Sequence, residues 1–513
     1  MIKSSKHQKT IPITLAVTGG INLQSSPMSI ADDEAELMQN WCYEKGATSP
    51  SIRPAVTCET STACSDEIIL LYHYTKDSSN SWLMGVSDAF DVYYYNTSTN
   101  VWTDTTINVA KKPSMLTYNG KLLMADGATT LKTWDGTTSG TVSIDGSLSP
   151  DILAEVGNRV VINDTQTTGR DFVGFSPVEW DVSTAWQLDH TDGSVGLRVG
   201  YKDGSNVVGL VKNFKNELIV LKQGDRSETI YRVQTIGVPY DASNALTWIS
   251  EFVMAGQGAS NSHCVESVDT AVLFLGRYGL GALVADEMYS ELNLQAIGKK
   301  INPVLGAVGN TNYELRYLAT TGQVWILRNS DTIYIYHPHN GAFTTYEFNN
   351  EQIYSVTENS SGVYFAGESG HLYKLDVTET QDEFTPSTNT DLTGILKLKD
   401  LDMGPGRGLV KSSEFLFKPI TGSTTNIYYA DNSKNGQVKV DEHTVIDDEM
   451  SDFMLADTDF MSGSDYDFMG LDGLPWSQEI KKKWKGKRIQ FQVTTVGRCQ
   501  FDGVTAQIAA VGG

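Results

Sequence analysis

The sequence predicts an all-β chain: a β-propeller of six to eight blades with an N-terminal strap and a C-terminal β-sandwich-like domain. Three observations carry this. From about residue 66 to 385, runs of Val, Ile, Leu, Tyr, Phe and Trp alternate with polar residues, and clusters of Gly, Asn, Asp, Ser and Thr separate the runs. Helical periodicity is nearly absent. One hairpin frame also recurs. LLMADGATTLKTWDG places Ala125, Leu131 and Asp135 at offsets 0, 6 and 10, and VYFAGESGHLYKLD places Ala366, Leu372 and Asp376 at the same offsets.

VWILRNSDTIYIYH fits the frame through Leu327, Ile333 and His337, and VLFLGRYGLGALVAD begins it at Leu275 and then drifts. A second half-unit puts Trp102 seven residues after Tyr95, and Phe343 seven after Tyr336. Leu275, Leu327 and Ala366 lie 52 and 39 residues apart, near the period of about 40 to 50 that marks propeller blades. A stack of β-sandwiches is the alternative, but a sandwich has no reason to reuse one hairpin frame at a fixed interval. Each blade alone has open edges and a thin core, so blades gain stability by closing into a ring.

The flanking elements follow in order. Ile11 to Val17, after Lys3, Lys6 and Lys9, reads as a strand with a basic lead, because Pro12 and Thr14 break the apolar run a signal peptide needs. SIADDEAELMQNW (Ser29 to Trp41) predicts one short helix capped by Ser29 and Asp32. TQDEFTPSTNTD, from about Gln381, reads as a linker. Beyond it GILKLK, SSEFLFKP, TNIYYAD, GQVKVD, KRIQFQV and CQFDGVTAQIAAV read as sandwich strands. The resulting division is strap 1–60, propeller 61–385 and C-terminal domain 386–513.

Composition narrows the function. Lys plus Arg number 39 against 62 Asp plus Glu, a net charge of −23, which argues against a surface that grips nucleic acid throughout. An acidic wall would instead let a polyanion slide past without sticking. Five Cys, with Cys58 and Cys64 the one close pair, do not make a disulfide framework. No apolar run reaches the roughly 18 residues of a membrane span.

Two charged segments stand out. Residues 441–474 are rich in acid and repeat DFM at Asp452, Asp459 and Asp467. Asp465, Asp467 and Gly470 imitate a calcium loop, but Met469 and Trp476 occupy ligand positions, so a solvated acidic arm is expected, with Asp447, Asp448, Glu449, Asp452, Asp457 and Asp459 exposed. KKKWKGKR then gathers Lys481, Lys482, Lys483, Lys485, Lys487 and Arg488 around Trp484. Pairing with an acidic surface or a neighbouring subunit is the favoured role, and DNA phosphate the alternative. His337 and His339 flank Pro338 and read as exposed turn residues rather than half a metal site. No GxSxG, GxxxxGK, HExxH or spaced Cys/His motif occurs, so neither an enzyme nor a cofactor or metal site is expected.

GGINLQSSPMSIADDEAELMQNWCYEKGATSPSIRPA (19–55) resembles the N-terminal strap of the propeller-bearing nozzle or hub proteins of short-tailed bacteriophages, through its GG pair, Asn22, Leu23, Asn40 and an Arg ahead of the first blade. The family commonly ends this strap with RPG, whereas Arg53 and Pro54 are followed here by Ala55. VGFSPVEWDVSTAW, VVGLVKNFKNELIVLKQGDRSETIYRV, GQGASNSHCVESVDTAVLFLGRYGLGAL and the closing GKRIQFQVTTVGRCQFDGVTAQI are similar to later segments of the family, through short, degenerate motifs spread along nearly the whole chain. The resemblance implies a structural virion protein assembled in the bacterial cytoplasm, a ring of copies, six by the family's pattern, seated on portal-adaptor proteins and passing double-stranded DNA, with tail fibres or spikes as further partners. The acids named above would then face the lumen or an interface, and the basic cluster an adjoining subunit or adaptor. A glycan-binding or glycan-cleaving propeller, such as a host-receptor binding protein, is the competing reading.

Overall fold

The computed structural model describes residues 10–511 apart from 145–147, 167–168, 189–190, 213–216, 225–227, 236, 270, 286–291, 306–312, 403–406, 420–422, 432–436, 445–475, 481–483 and 487. Seven four-stranded antiparallel units follow one another: blade 1 (68–108), blade 2 (114–143), blade 3 (153–198), blade 4 (206–255), blade 5 (265–296), blade 6 (314–347) and blade 7 (353–376). Their first strands form the inner ring, each touching the next, and Ile353–Asn359 of blade 7 touches Ile68–Asp77 of blade 1. The chain is an all-β propeller. Blade 7 borrows its outermost strand, Ala55–Cys58, from the strap, so the ring is closed by a segment that precedes blade 1 in sequence.

Local chemistry explains the hairpins. Asn119 and Gly120, at φ 46° and 70°, form a two-residue turn between the paired Tyr118 and Lys121, a left-handed geometry that Asn and Gly adopt at least cost. The recurrent frame has a packing cause: Ala125, Leu131, Leu327, Ile333, Ala366 and Leu372 are all fully buried. Ala366 and Leu372 form a cross-strand pair whose neighbours include Ile68 and Leu71 of blade 1. Each such buried aliphatic side chain contributes roughly 1.5–3 kcal/mol. The half-unit is a cross-strand aromatic pair, with Tyr95 opposite Trp102 and Tyr336 opposite Phe343, ring centroids 6.1 and 4.9 Å apart.

Outside the ring, blade 6 does not stop at its fourth strand. Ala35–Gln39 adds beside Ala342–Glu347, and Thr393–Leu398, Arg488–Val496, Thr424–Asp431 and Gln437–Thr444 continue the same sheet outward. A second sheet pairs Cys499–Val511 with Arg407–Pro419 and with Thr10–Leu15. The two sheets enclose a core in which Phe415 meets Phe491 edge-on at 5.6 Å. The C-terminal sandwich is therefore an outgrowth of blade 6.

Three expectations need correction. The helix over Ser29–Trp41 is replaced by turns and the strand Ala35–Gln39. Strands on both sides of this segment take up its backbone groups, and Ala35 and Met38 are fully buried between them, which outweighs a one-turn capping signal. The polar segment read as a linker is a hairpin, Gln381–Thr385 with Thr388–Asp391, whose Asp382 is buried. His337 is not an exposed turn residue: it is fully buried, its Nε2 3.0 Å from Thr344 Oγ1 and its ring edge-on to Tyr43. Burial and the nearby His339 push its pKa down to about 3.

Candidate functional site

Polar side chains from five inner strands meet along the propeller axis. Glu314 of blade 6 is 1% exposed; its Oε2 accepts Lys112 Nζ at 2.7 Å and its Oε1 accepts Ser355 Oγ of blade 7 at 2.8 Å. Ser355 Oγ in turn accepts the Leu71 N–H of blade 1 at 3.0 Å. Arg316, two residues on from Glu314 and so on the same strand face, lies 3.6 Å from Glu314 and 3.7 Å from Glu266 of blade 5. Tyr72 of blade 1 and Thr117 of blade 2 complete the group, with Thr117 N–H donating to the Tyr72 hydroxyl at 2.8 Å.

This environment separates the titrations. Burial pushes Glu266 up to about 7, against the pull of Arg316 and with help from Glu314. Burial also opposes ionisation of Glu314, but Lys112, Arg316 and His263 hold it below its ordinary value. Burial, then Lys112, pushes His263 down to about 3. Arg316 and Glu266 keep 30% and 23% of their side-chain surface open, so the group is not sealed in a dry core. A carboxyl near 7 could exchange a proton at neutral pH. Here, however, the carboxylates are held by cations and hydroxyls of neighbouring blades, an arrangement suited to stapling the ring.

A second cluster locks the strap. Arg53 is fully buried and all five of its N–H donors are engaged: Nε to Asn40 Oδ1 at 3.0 Å, Nη1 to Asp382 Oδ1 at 3.0 Å and Pro54 O at 2.9 Å, Nη2 to Asp382 Oδ2 at 2.6 Å and Glu347 O at 3.1 Å. Its guanidinium lies over the Phe348 ring. One side chain thus joins strap, blade 6 and the 381–391 hairpin. The strap's GG pair is equally constrained: Gly20 has φ 71°, and a Cβ there would lie 2.5 Å from Phe343 O.

The charged residues singled out from sequence mostly fall elsewhere. Asp447, Asp448, Glu449, Asp452, Asp457 and Asp459 lie outside the described residues, as do Lys481, Lys482, Lys483 and Lys487. Trp484 and Lys485 belong to a three-residue strand opposite Val410 and Leu409. Arg488 is exposed at the start of Arg488–Val496, in register with Asp402. Among the described residues no group of three or more His, Cys, Asp or Glu is placed to hold a metal ion, and no helix is long and apolar enough to cross a membrane. Sequence reasoning missed Lys112, Glu266, Glu314, Arg316 and Asp382. The only signal was the i, i+2 spacing of Glu314 and Arg316 in a strand, which 62 acids render commonplace.

No family model matches the chain, and no curated protein matches it. Solved structures with which it aligns include the β-propeller domain of Myceliophteria thermophila Cps50 (Swd1), at 11% identity over 62% of this chain and 98% of that one, TM-score 0.40. Another is the computationally designed Ika8 protein, at 10% identity over 62% of this chain and all of that one, TM-score 0.35.

Proposed function

We propose that the chain is a structural subunit of a short-tailed bacteriophage virion, packing head to tail with copies of itself into a nozzle ring that sits on portal-adaptor proteins and passes double-stranded DNA. The observation that carries this reading is an asymmetry around the propeller. Strap and sandwich cover blades 6 and 7, whereas eight of the eleven exposed large apolar side chains among the described residues lie between Val178 and Leu294, on blades 3 to 5. Tyr201, Val238, Ile249, Phe252 and Tyr278 are each more than half exposed. Two unlike faces on one rigid body favour a heterologous contact, which closes into a ring when its rotation divides a full turn. The excess of acid supports an electrostatic role, since a negative lumen would repel DNA and lower friction. The resemblance of residues 19–55 to the phage strap agrees, and the Asn40 to Arg53 bond joins two of the residues that define it.

The test is native mass spectrometry and sedimentation of the purified chain, alone and with a portal-adaptor complex. The expected result is a closed ring of defined number that is lost when Leu246, Ile249 and Phe252 are replaced by Ser. A chain that stays monomeric with the adaptor, or a ring indifferent to those substitutions, would overturn the reading.

A further inference from the structure

We propose that the cleft between blades 1 and 7 binds a neutral saccharide. The cleft has a volume of about 640 Å³, within the roughly 300–1,000 Å³ of small-molecule sites. Hairpin turns of the two blades, at 96–100 and 359–361, line it together with Glu59 at the end of the strap strand. The strap therefore supplies one wall of it through Glu59.

Its chemistry is that of hydroxyl recognition. The lining contains no Lys or Arg; the nearest cation, Lys374 over the Tyr364 ring, is already drawn to Glu59, so a phosphate or carboxylate ligand would find no unpaired counter-charge in the lining itself. It is instead rich in side-chain amides and hydroxyls, and the amides are anchored by their oxygens. Asn96 Oδ1 accepts the Ser98 N–H at 3.0 Å, Asn359 Oδ1 accepts the Ser361 N–H at 2.7 Å, and Asn100 Oδ1 accepts the Tyr95 hydroxyl at 3.1 Å. The NH2 groups of Asn96 and Asn100 have no protein partner among the described residues, which leaves them as fixed donors for a ligand hydroxyl. Tyr95 and Tyr364, each 6% exposed, form an aromatic base.

Glu59 is the single carboxylate in the lining and would accept charge-assisted hydrogen bonds from sugar hydroxyls. Glycoside hydrolysis generally needs two carboxyl groups flanking the bond, so the cleft is assigned binding and not cleavage. The turns are held by their own hydrogen bonds before any ligand arrives, which lowers the ordering cost of recognition.

Saturation-transfer NMR on the purified full chain tests this, with maltotriose, cellotriose and N-acetylchitotriose as probes and inorganic phosphate as control. The expected result is transfer to at least one trisaccharide and none to phosphate, abolished by Thr97→Trp and by Ser360→Trp, two exposed positions where a large side chain fills the cleft without touching the core. Glu59→Gln should weaken binding about tenfold, the loss of one charged hydrogen bond. Failure of all three sugars to bind the folded chain, or binding that survives both filling substitutions, would overturn the proposal. The measurement does not depend on ring assembly, so its outcome leaves the nozzle reading standing or falling separately.

Discussion

Blades 6 and 4 are built to the same four-stranded plan yet meet their surroundings in opposite ways. In blade 6 every residue of Gln323–Leu327 is buried, and the outer strand Ala342–Glu347 is buried up to its last residue because the strap strand lies beside it. In blade 4 the outer strand Ser250–Ala255 has no buried residue, and Phe252 is 58% exposed. The difference does not come from the blades. It comes from what the rest of the chain lays against them, and among the described residues it leaves Phe252 on the outer strand of blade 4 open to solvent.

Four experiments would break or sharpen this contrast. Trp325→Ala removes a ring packed against Tyr346, Phe348 and Phe365 and should cost about 3–5 kcal/mol, read as a lower urea midpoint. Asp382→Ala leaves the buried Arg53 without its counter-ion and should cost a similar 3–5 kcal/mol, whereas Arg232→Ala, in the part-exposed pair with Glu251 on blade 4, should cost about 1 kcal/mol or less. Equal losses in the two pairs would show that the strap latch is no stronger than a surface contact.

The third experiment uses pH at the axis between blades 5 and 6. Glu266 titrates near 7 when folded against 4.5 unfolded, so between those values the folded state holds the extra proton and acidification stabilises it. His263 titrates near 3 against 6.5, so over that range the unfolded state takes up the proton and acidification destabilises the fold. The two oppose each other between pH 4.5 and 6.5. Relative to the parent, the melting temperature of Glu266→Gln should fall more steeply from pH 6.5 to 4.5, and that of His263→Gln less steeply or even rise; unchanged slopes would place these groups in open solvent. The smallest effect is expected of Phe252→Ser, about 0.5 kcal/mol or less on the stability of the monomer. A large loss there would mean that blade 4 uses the ring for its own core.

Much of the propeller was legible because its signal is local. The frame through Ala125 and Leu131 recurs at Ala366 and Leu372 since the same two positions must fill the gap between adjacent blades. Tyr95 with Trp102 and Tyr336 with Phe343 recur since they face each other across a hairpin. The strap was misread for the converse reason: AELMQ carries a helix-like composition, and only partners more than 300 residues away, Ala342–Glu347 and Thr393–Leu398, make it a strand. Asp382 looked like a linker acid because its partner, Arg53, is 329 residues away. The axial group was hidden likewise, since Lys112, Glu266 and Glu314 are brought together only by ring closure.

The amino-acid sequence by itself determined the strands, the tight turns and the repeat, because alternation, Asn-Gly chemistry and cross-strand pairs act over a few residues. Tertiary structure alone decided how many blades close the ring, that the strap supplies the last strand, that the sandwich grows out of blade 6, and which charges are buried. Those outcomes depend on contacts between segments hundreds of residues apart, where burial and pairing free energies override what any short stretch prefers.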